Sequence, residues 1–246
     1  MSIHQKWKIM AKINLPTSDN ARSQLIQKCL HNESQIEDKG QRLLPADIIE
    51  RGTAILPLYN SKLNAIGSLL STRSIEVQEK KAALNRLTTY LRDYWEVLRR
   101  RTARLDHPVQ VLTYYQLPLD GMTPPISREK DLLNMANRAI EGDTQAVNAG
   151  YPPMVNPTAA EVKEVLDVAW KEVNDVPPAD RAYDQALESI ADLRAQADEL
   201  IRDMHDYLNF VLRKKDAASR RRIIQTYGFT YTYQKNENAD KEIQAN

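Results

Sequence analysis

The side chains best suited to chemistry in this 246-residue chain are few and scattered: four histidines, one cysteine and two runs of arginine. The histidines are His4, His31, His107 and His205. A carboxylate-bridged dinuclear iron site in a helical bundle needs Glu-x-x-His on two helices, so that carboxylate and imidazole share one face. None of the four histidines follows a glutamate by three. Cys29 and His31 stand two apart, a spacing that turns them to different sides of a helix. Asp203, His205 and Asp206 are the acid-flanked histidine cluster, and their spacing reads as an exposed charged helix face. No Gly-x-Ser-x-Gly, phosphate-binding loop or dinucleotide glycine pattern occurs, and seven glycines leave little material for one. No catalytic, cofactor-binding or metal-ligating residue is assigned, no cofactor is expected, and the chain is read as a non-enzyme.

Two arginine triplets, Arg99, Arg100, Arg101 and Arg220, Arg221, Arg222, read as cations near the C-terminal ends of long helices, where they offset the macrodipole. They are also the candidate contacts for an anion or a partner. With 34 basic and 33 acidic side chains the formal net charge is +1, so no bulk field draws the chain to nucleic acid or an anionic membrane. A nucleic-acid reading therefore ranks low, and steep loss of binding with salt would be its mark. Tyrosine is the other resource. At the tail Tyr227, Phe229, Tyr231 and Tyr233 alternate with Gly228, Thr230 and Thr232, a period of two that reads as a strand. Trp7, Ile9 and Ile13 alternate with lysines over 5–15 in the same way. These seven residues are the candidate assembly contacts, since aromatic faces bury large amphipathic area at low rotamer cost.

The positioning elements come from apolar periodicity. Every seventh residue from Ile49 to Leu105 is aliphatic: Ile49, Leu56, Leu63, Leu70, Val77, Leu84, Leu91, Leu98 and Leu105. A 3.5-residue repeat keeps one stripe against a packed partner, so a long helix is expected over 46–106, its repeat from Ile49 to Leu105 alone about 85 Å long at about 1.5 Å per residue. The row three residues on reads Gly52, Tyr59, Ile66, Arg73, Lys80, Leu87, Tyr94, Arg101, apolar at its ends and polar in its middle. Pro57 is expected to kink the helix near its start. A shorter helix is expected over 19–38, capped by Thr17, Ser18 or Asp19 and with Leu25, Ile26, Cys29, Leu30 and Ile36 on its apolar face, and another over 128–141, closed near Gly142. Residues 108–126 read as an extended crossover, with a strand plausible over Val109 to Leu117. Thr158 and Glu161 form a capping box that opens a helix over 158–175. Pro177-Pro178 is expected to break it, and a second long arm over 179–216 carries the stripe from Tyr183 to Val211. Residues 226–233 are the C-terminal strand, and 235–246 a flexible tail.

The fold class that follows is mostly α: a single, elongated antiparallel helical bundle with two long coiled-coil-like arms and a small β element formed by the chain termini. The expected function is a non-catalytic structural or scaffolding subunit that self-associates into a homo-oligomer or larger assembly, with the terminal strands as candidate inter-subunit contacts, pairing either between subunits or within one chain. The alternatives are a soluble helical adaptor for another protein, then a nucleic-acid-binding protein, and last a membrane-active toxin. No window is apolar enough to span a membrane and no apolar run follows the N-terminal lysines, so the cytoplasm is expected, with signal-independent export left open. The single cysteine suits a reducing compartment.

Overall fold

A computed structural model describes residues 11–104, 106–126 and 128–233 of the chain, with the side chain of Lys39 left aside. It is mostly helical. The elements in order are β1 (Lys12–Asn14), α1 (Asp19–Ser34), α2 (Ala46–Ala103), α3 (Glu129–Asn148), α4 (Ala159–Ser189), α5 (Ala191–Val211), α6 (Ala217–Thr226) and β2 (Thr230–Thr232). Where the sequence reading has one domain, the chain forms two compact units. Among the described residues, the first holds 11–67 and 185–233, and the second lies within 68–184.

In the first unit Ser18 caps α1, its hydroxyl accepting from the Ala21 amide at 3.3 Å. Leu25, Ile26, Cys29 and Glu33 follow at helical spacing and are buried. They meet the opening turns of α2, through Ile48, Ile55 and Tyr59, and the stripe Ala197, Leu200, Met204 and Leu208 of α5. Cys29 is fully buried and its thiol donates to the Tyr227 carbonyl at 3.3 Å. Burial pushes that thiol up to about 12. The Asp216 carboxylate caps α6, accepting from the Ser219 amide at 2.9 Å. Beyond α6, β2 pairs antiparallel with β1 of the same chain, Ile13 opposite Tyr231. Three residues per strand make a weak ribbon by themselves. Phe229, 1% exposed, fastens this one to the core.

In the second unit the later turns of α2 bring Leu87, Leu91, Tyr94 and Leu98 against Leu132, Leu133 and Ala136 of α3 and Val162, Leu166 and Ala169 of α4. The capping box forms as read: the Glu161 amide donates to Thr158 Oγ1 at 3.1 Å, and the Thr158 amide to Glu161 Oε2 at 2.7 Å.

The structure corrects several boundaries. Val109–Thr113 is a 3-10 turn, not a strand, because Val111, Leu112 and Tyr115 are buried at helical rather than alternating spacing. Helix α3 continues past Gly142 to Asn148; a glycine in mid-helix is tolerated there because Tyr115 occupies the space of its side chain. Helix α4 runs through Pro177 and Pro178 and breaks only at Ile190. Both prolines are exposed, so the carbonyls they strip of partners can turn to water. Helix α2 likewise runs through exposed Pro57. Residues 217–225, outside every expected element, form α6 together with Thr226, the first residue of the expected C-terminal strand. The heptad row from Ile49 is not the deepest line of α2 either. Leu70 and Val77 are each 42% exposed, whereas Tyr59, Leu87 and Tyr94 of the adjoining row are fully covered. A straight α-helix drifts about 20° per heptad, so a strict seven-residue row walks off the packed face. Leu105, Trp7 and Ile9 lie outside the described residues.

Candidate functional site

The residues marked in the sequence do not converge. Arg99 and Arg100 share Glu96, at 2.5 and 3.1 Å, on the exposed face of α2. Arg101 instead turns inward and donates to the Pro153 carbonyl at 2.9 Å, tying down the segment before α4. The second triplet sits in the middle of α6, not at the end of a long helix: Arg222 donates to Ser219 Oγ at 3.0 Å and Arg221 lies over the Tyr233 ring. Of the proposed assembly contacts, Tyr227 and Phe229 are core residues, and Ile13 and Tyr231 pack against them. They are spent inside the first unit. Of the acid-flanked histidine cluster, Asp203 leaves to pair with Arg51 at 2.6 Å, while His205 keeps Asp206 Oδ1 3.5 Å from its Nδ1 and approaches the Tyr231 hydroxyl at 3.3 Å.

The densest polar cluster was not legible as one. Asp19 on α1 accepts from the Tyr59 hydroxyl and from Arg194 Nε and Nη2, each at 2.8 Å. Arg22 completes it by donating to Asp198 at 2.7 and 3.1 Å. The Arg194 guanidinium holds the Asp19 carboxyl below its usual 3.8, against the opposing pull of burial. The Tyr59 hydroxyl is pushed well above 10 by burial and by the carboxylate beside it. A network this fully satisfied clamps α1, α2 and α5 rather than offering a reactive group. Because the folded carboxyl titrates below the unfolded one, its contribution is whole above pH 4 and is lost as pH falls through the folded value. Asp19→Asn therefore costs about 1.5–3 kcal/mol at neutral pH, the worth of hydrogen bonds to a charged acceptor. In urea titrations the gap from wild type should close as pH falls below 4. A gap unchanged at pH 2.5 would refute the clamp.

In the second unit Glu76 and Glu79, one helical turn apart on α2, bring carboxylate oxygens within 4.8 Å of each other and of Glu172 on α4. Oxygen donors at that separation suit a hard divalent cation. Lys171 already neutralises part of the charge, its ammonium 2.9 Å from Glu172 Oε1.

The feature with the chemistry of a site is a groove between α1 and α2 in the first unit, with a volume of about 660 Å³. Lys28, His31, Glu33 and Arg42 bring polar groups to its wall, and Leu30, Ile49 and Leu56 an apolar surface. Glu33 is 1% exposed, yet it is a carboxylate in the last turn of α1, the end where the macrodipole disfavours negative charge. Its Oε1 accepts from the Leu43 and Leu44 amides, both at 3.2 Å, and from the Tyr227 hydroxyl at 2.5 Å. Its Oε2 has no partner, and neither has the buried Nε of Arg42. Sequence reasoning missed this pair because nine positions of loop and helix end separate its members, so only tertiary packing brings them to one groove. An acidic residue in the closing turn of an apolar helix face was the available signal. No helix among the described residues is long and apolar enough to cross a membrane. No protein-family model, curated protein or solved structure matches this chain.

Proposed function

We propose that this chain is a non-catalytic structural subunit that works by associating with further copies of itself. The observation that carries the reading is an exposed patch at the end of α5. Tyr207, Phe210 and Val211, at i, i+3 and i+4, are 36%, 57% and 38% exposed. The Tyr207 and Phe210 rings lie 6.2 Å apart, and the Arg213 guanidinium stacks 4.1 Å over Phe210. Aromatic and arginine side chains are the types that anchor interfaces. A patch carrying both can stack on its own copy across a two-fold axis, arginine of one on aromatic of the other. The terminal strands, paired within one chain, do not serve as the contact in this reading. A reducing compartment such as the cytoplasm belongs to it, on the strength of the lone thiol.

Light scattering across a concentration series tests it. Wild type should sediment and scatter as a dimer or larger species, and Phe210→Asp as a monomer of unchanged helicity, because the replaced ring packs on no core. A wild type that stays monomeric at high micromolar concentration ends the self-association reading. The patch would then belong to a different protein, as in a helical adaptor.

A further inference from the structure

We propose that the α1–α2 groove of the first unit binds a small zwitterion, an ammonium and a carboxylate on an apolar body, as in a free apolar amino acid or a short apolar peptide. Two opposite charges on the same wall are each left incomplete. Glu33 is held rigidly through Oε1 by two amides and a hydroxyl, so Oε2 cannot turn elsewhere for a partner. Arg42 makes no hydrogen bond or ion pair among the described residues, not even with Glu33. Buried polar atoms without partners, as Glu33 Oε2 and Arg42 Nε are, have given up hydration with nothing in return, and native structures retain them where something else completes the bonds.

The missing bonds specify the ligand. Oε2 accepts, and being anionic is best completed by an ammonium; the Arg42 Nε–H donates, and is best completed by a carboxylate. A ligand of one charge sign satisfies one group and is repelled by the other. Lys28 also lines the groove and brings a second cation to it. Leu30, Ile49 and Leu56 supply the surface for the apolar body. The volume of about 660 Å³ falls within the span of roughly 300–1,000 Å³ usual for small-molecule sites. Both orphan atoms are covered in this conformation, so entry requires one side chain to move. Arg42, half-buried and unheld, is the one free to swing.

Calorimetry on the full chain decides it, with L-leucine and the dipeptide Leu-Leu as probes. N-acetyl-Leu-Leu, which lacks the ammonium, and Leu-Leu amide, which lacks the carboxylate, are the matched controls. Leu-Leu or L-leucine should bind, and each capped dipeptide should bind at least about tenfold more weakly than Leu-Leu. Glu33→Gln keeps an oxygen for the three donors but replaces Oε2 with an amide, and should erase the preference over the acetylated form. Arg42→Met should erase the preference over the amide. Should Glu33→Gln fail to fold, Arg42→Met carries the test alone, since Arg42 holds nothing in place. No heat from either free probe, equal affinity for capped and free dipeptides, or unchanged discrimination in Arg42→Met overturns the proposal. A monomeric wild type leaves it standing, because the groove does not involve Tyr207 or Phe210.

Discussion

Gly142→Ala should destabilise the second unit by about 2 kcal/mol, although alanine is the better helix former. Intrinsic propensity favours alanine by about 1 kcal/mol in mid-helix. Packing opposes it. A methyl group at Gly142 would lie 2.6 Å from Tyr115 Cδ1, 2.8 Å from its Cα and 2.9 Å from the Tyr114 carbonyl oxygen. Two of those three atoms are backbone, so no rotamer change clears them. Nor can Tyr115 withdraw: its hydroxyl donates to Asp143 Oδ1 at 3.1 Å and its ring meets Tyr94 edge-on at 6.1 Å. Asp143 in turn accepts from the Met154 amide at 2.9 Å, so the tyrosine is tied to the segment before α4 as well. Overpacking of a rigid core costs up to about 3 kcal/mol, which outweighs the propensity gain. Urea denaturation followed by tryptophan fluorescence in a background with Trp7→Phe and Trp170→Phe, which leaves buried Trp95 as the reporter of this unit, measures the difference. A neutral or stabilised variant would mean that Tyr115 moves freely.

Glu33→Ala is the second large effect, about 3–4 kcal/mol in the first unit. The substitution removes one acceptor and leaves three donors unpaired, the half-buried Leu43 amide, the buried Leu44 amide and the buried Tyr227 hydroxyl. Each orphan costs about 1–3 kcal/mol, offset in part because a buried carboxylate no longer has to be desolvated. Glu33→Gln, which keeps an acceptor for all three, should remain within about 1.5 kcal/mol of wild type by the same reasoning. Thermal melts of the two variants side by side separate lost hydrogen bonds from lost charge. Equal losses would show that charge, not acceptance, is what Glu33 supplies. The bonds matter because they join the end of α1, the approach to α2 and the segment after α6, three places that share no secondary structure.

Local chemistry made much of the fold legible, and tertiary context hid the rest. Helix α1 could be placed from Ser18, Asp19 and the apolar run Leu25, Ile26, Cys29 because cap and stripe are both short-range. Thr158 and Glu161 announced α4 for the same reason. Pro177 and Pro178 misled because their cost depends on whether the freed carbonyls reach water, which sequence does not state. Gly142 misled because a glycine kept for close approach looks identical to one kept for a helix stop. In α2 the register of the repeat was visible but its depth was not: Tyr59 and Tyr94 carry polar tips, yet they lie deeper than Leu70 and Val77. The groove was least legible of all. Its two incompletely bonded residues, Glu33 and Arg42, read as ordinary surface charges until a hydroxyl from Tyr227, far along the chain, closes over Glu33.

The buried thiol of Cys29 makes the protein its own stopwatch. Thiolate is the form that attacks a maleimide or disulfide reagent, and a sulfur that is covered and pushed up to about 12 presents almost none. Modification must therefore wait for the first unit to open, so the labelling rate at increasing reagent concentration passes from an equilibrium measure of opening to its rate. As the sequence contains no second cysteine, the signal is unmixed. Substitutions around Asp19 or Glu33 can be timed this way in native buffer, without denaturant and without engineering a probe.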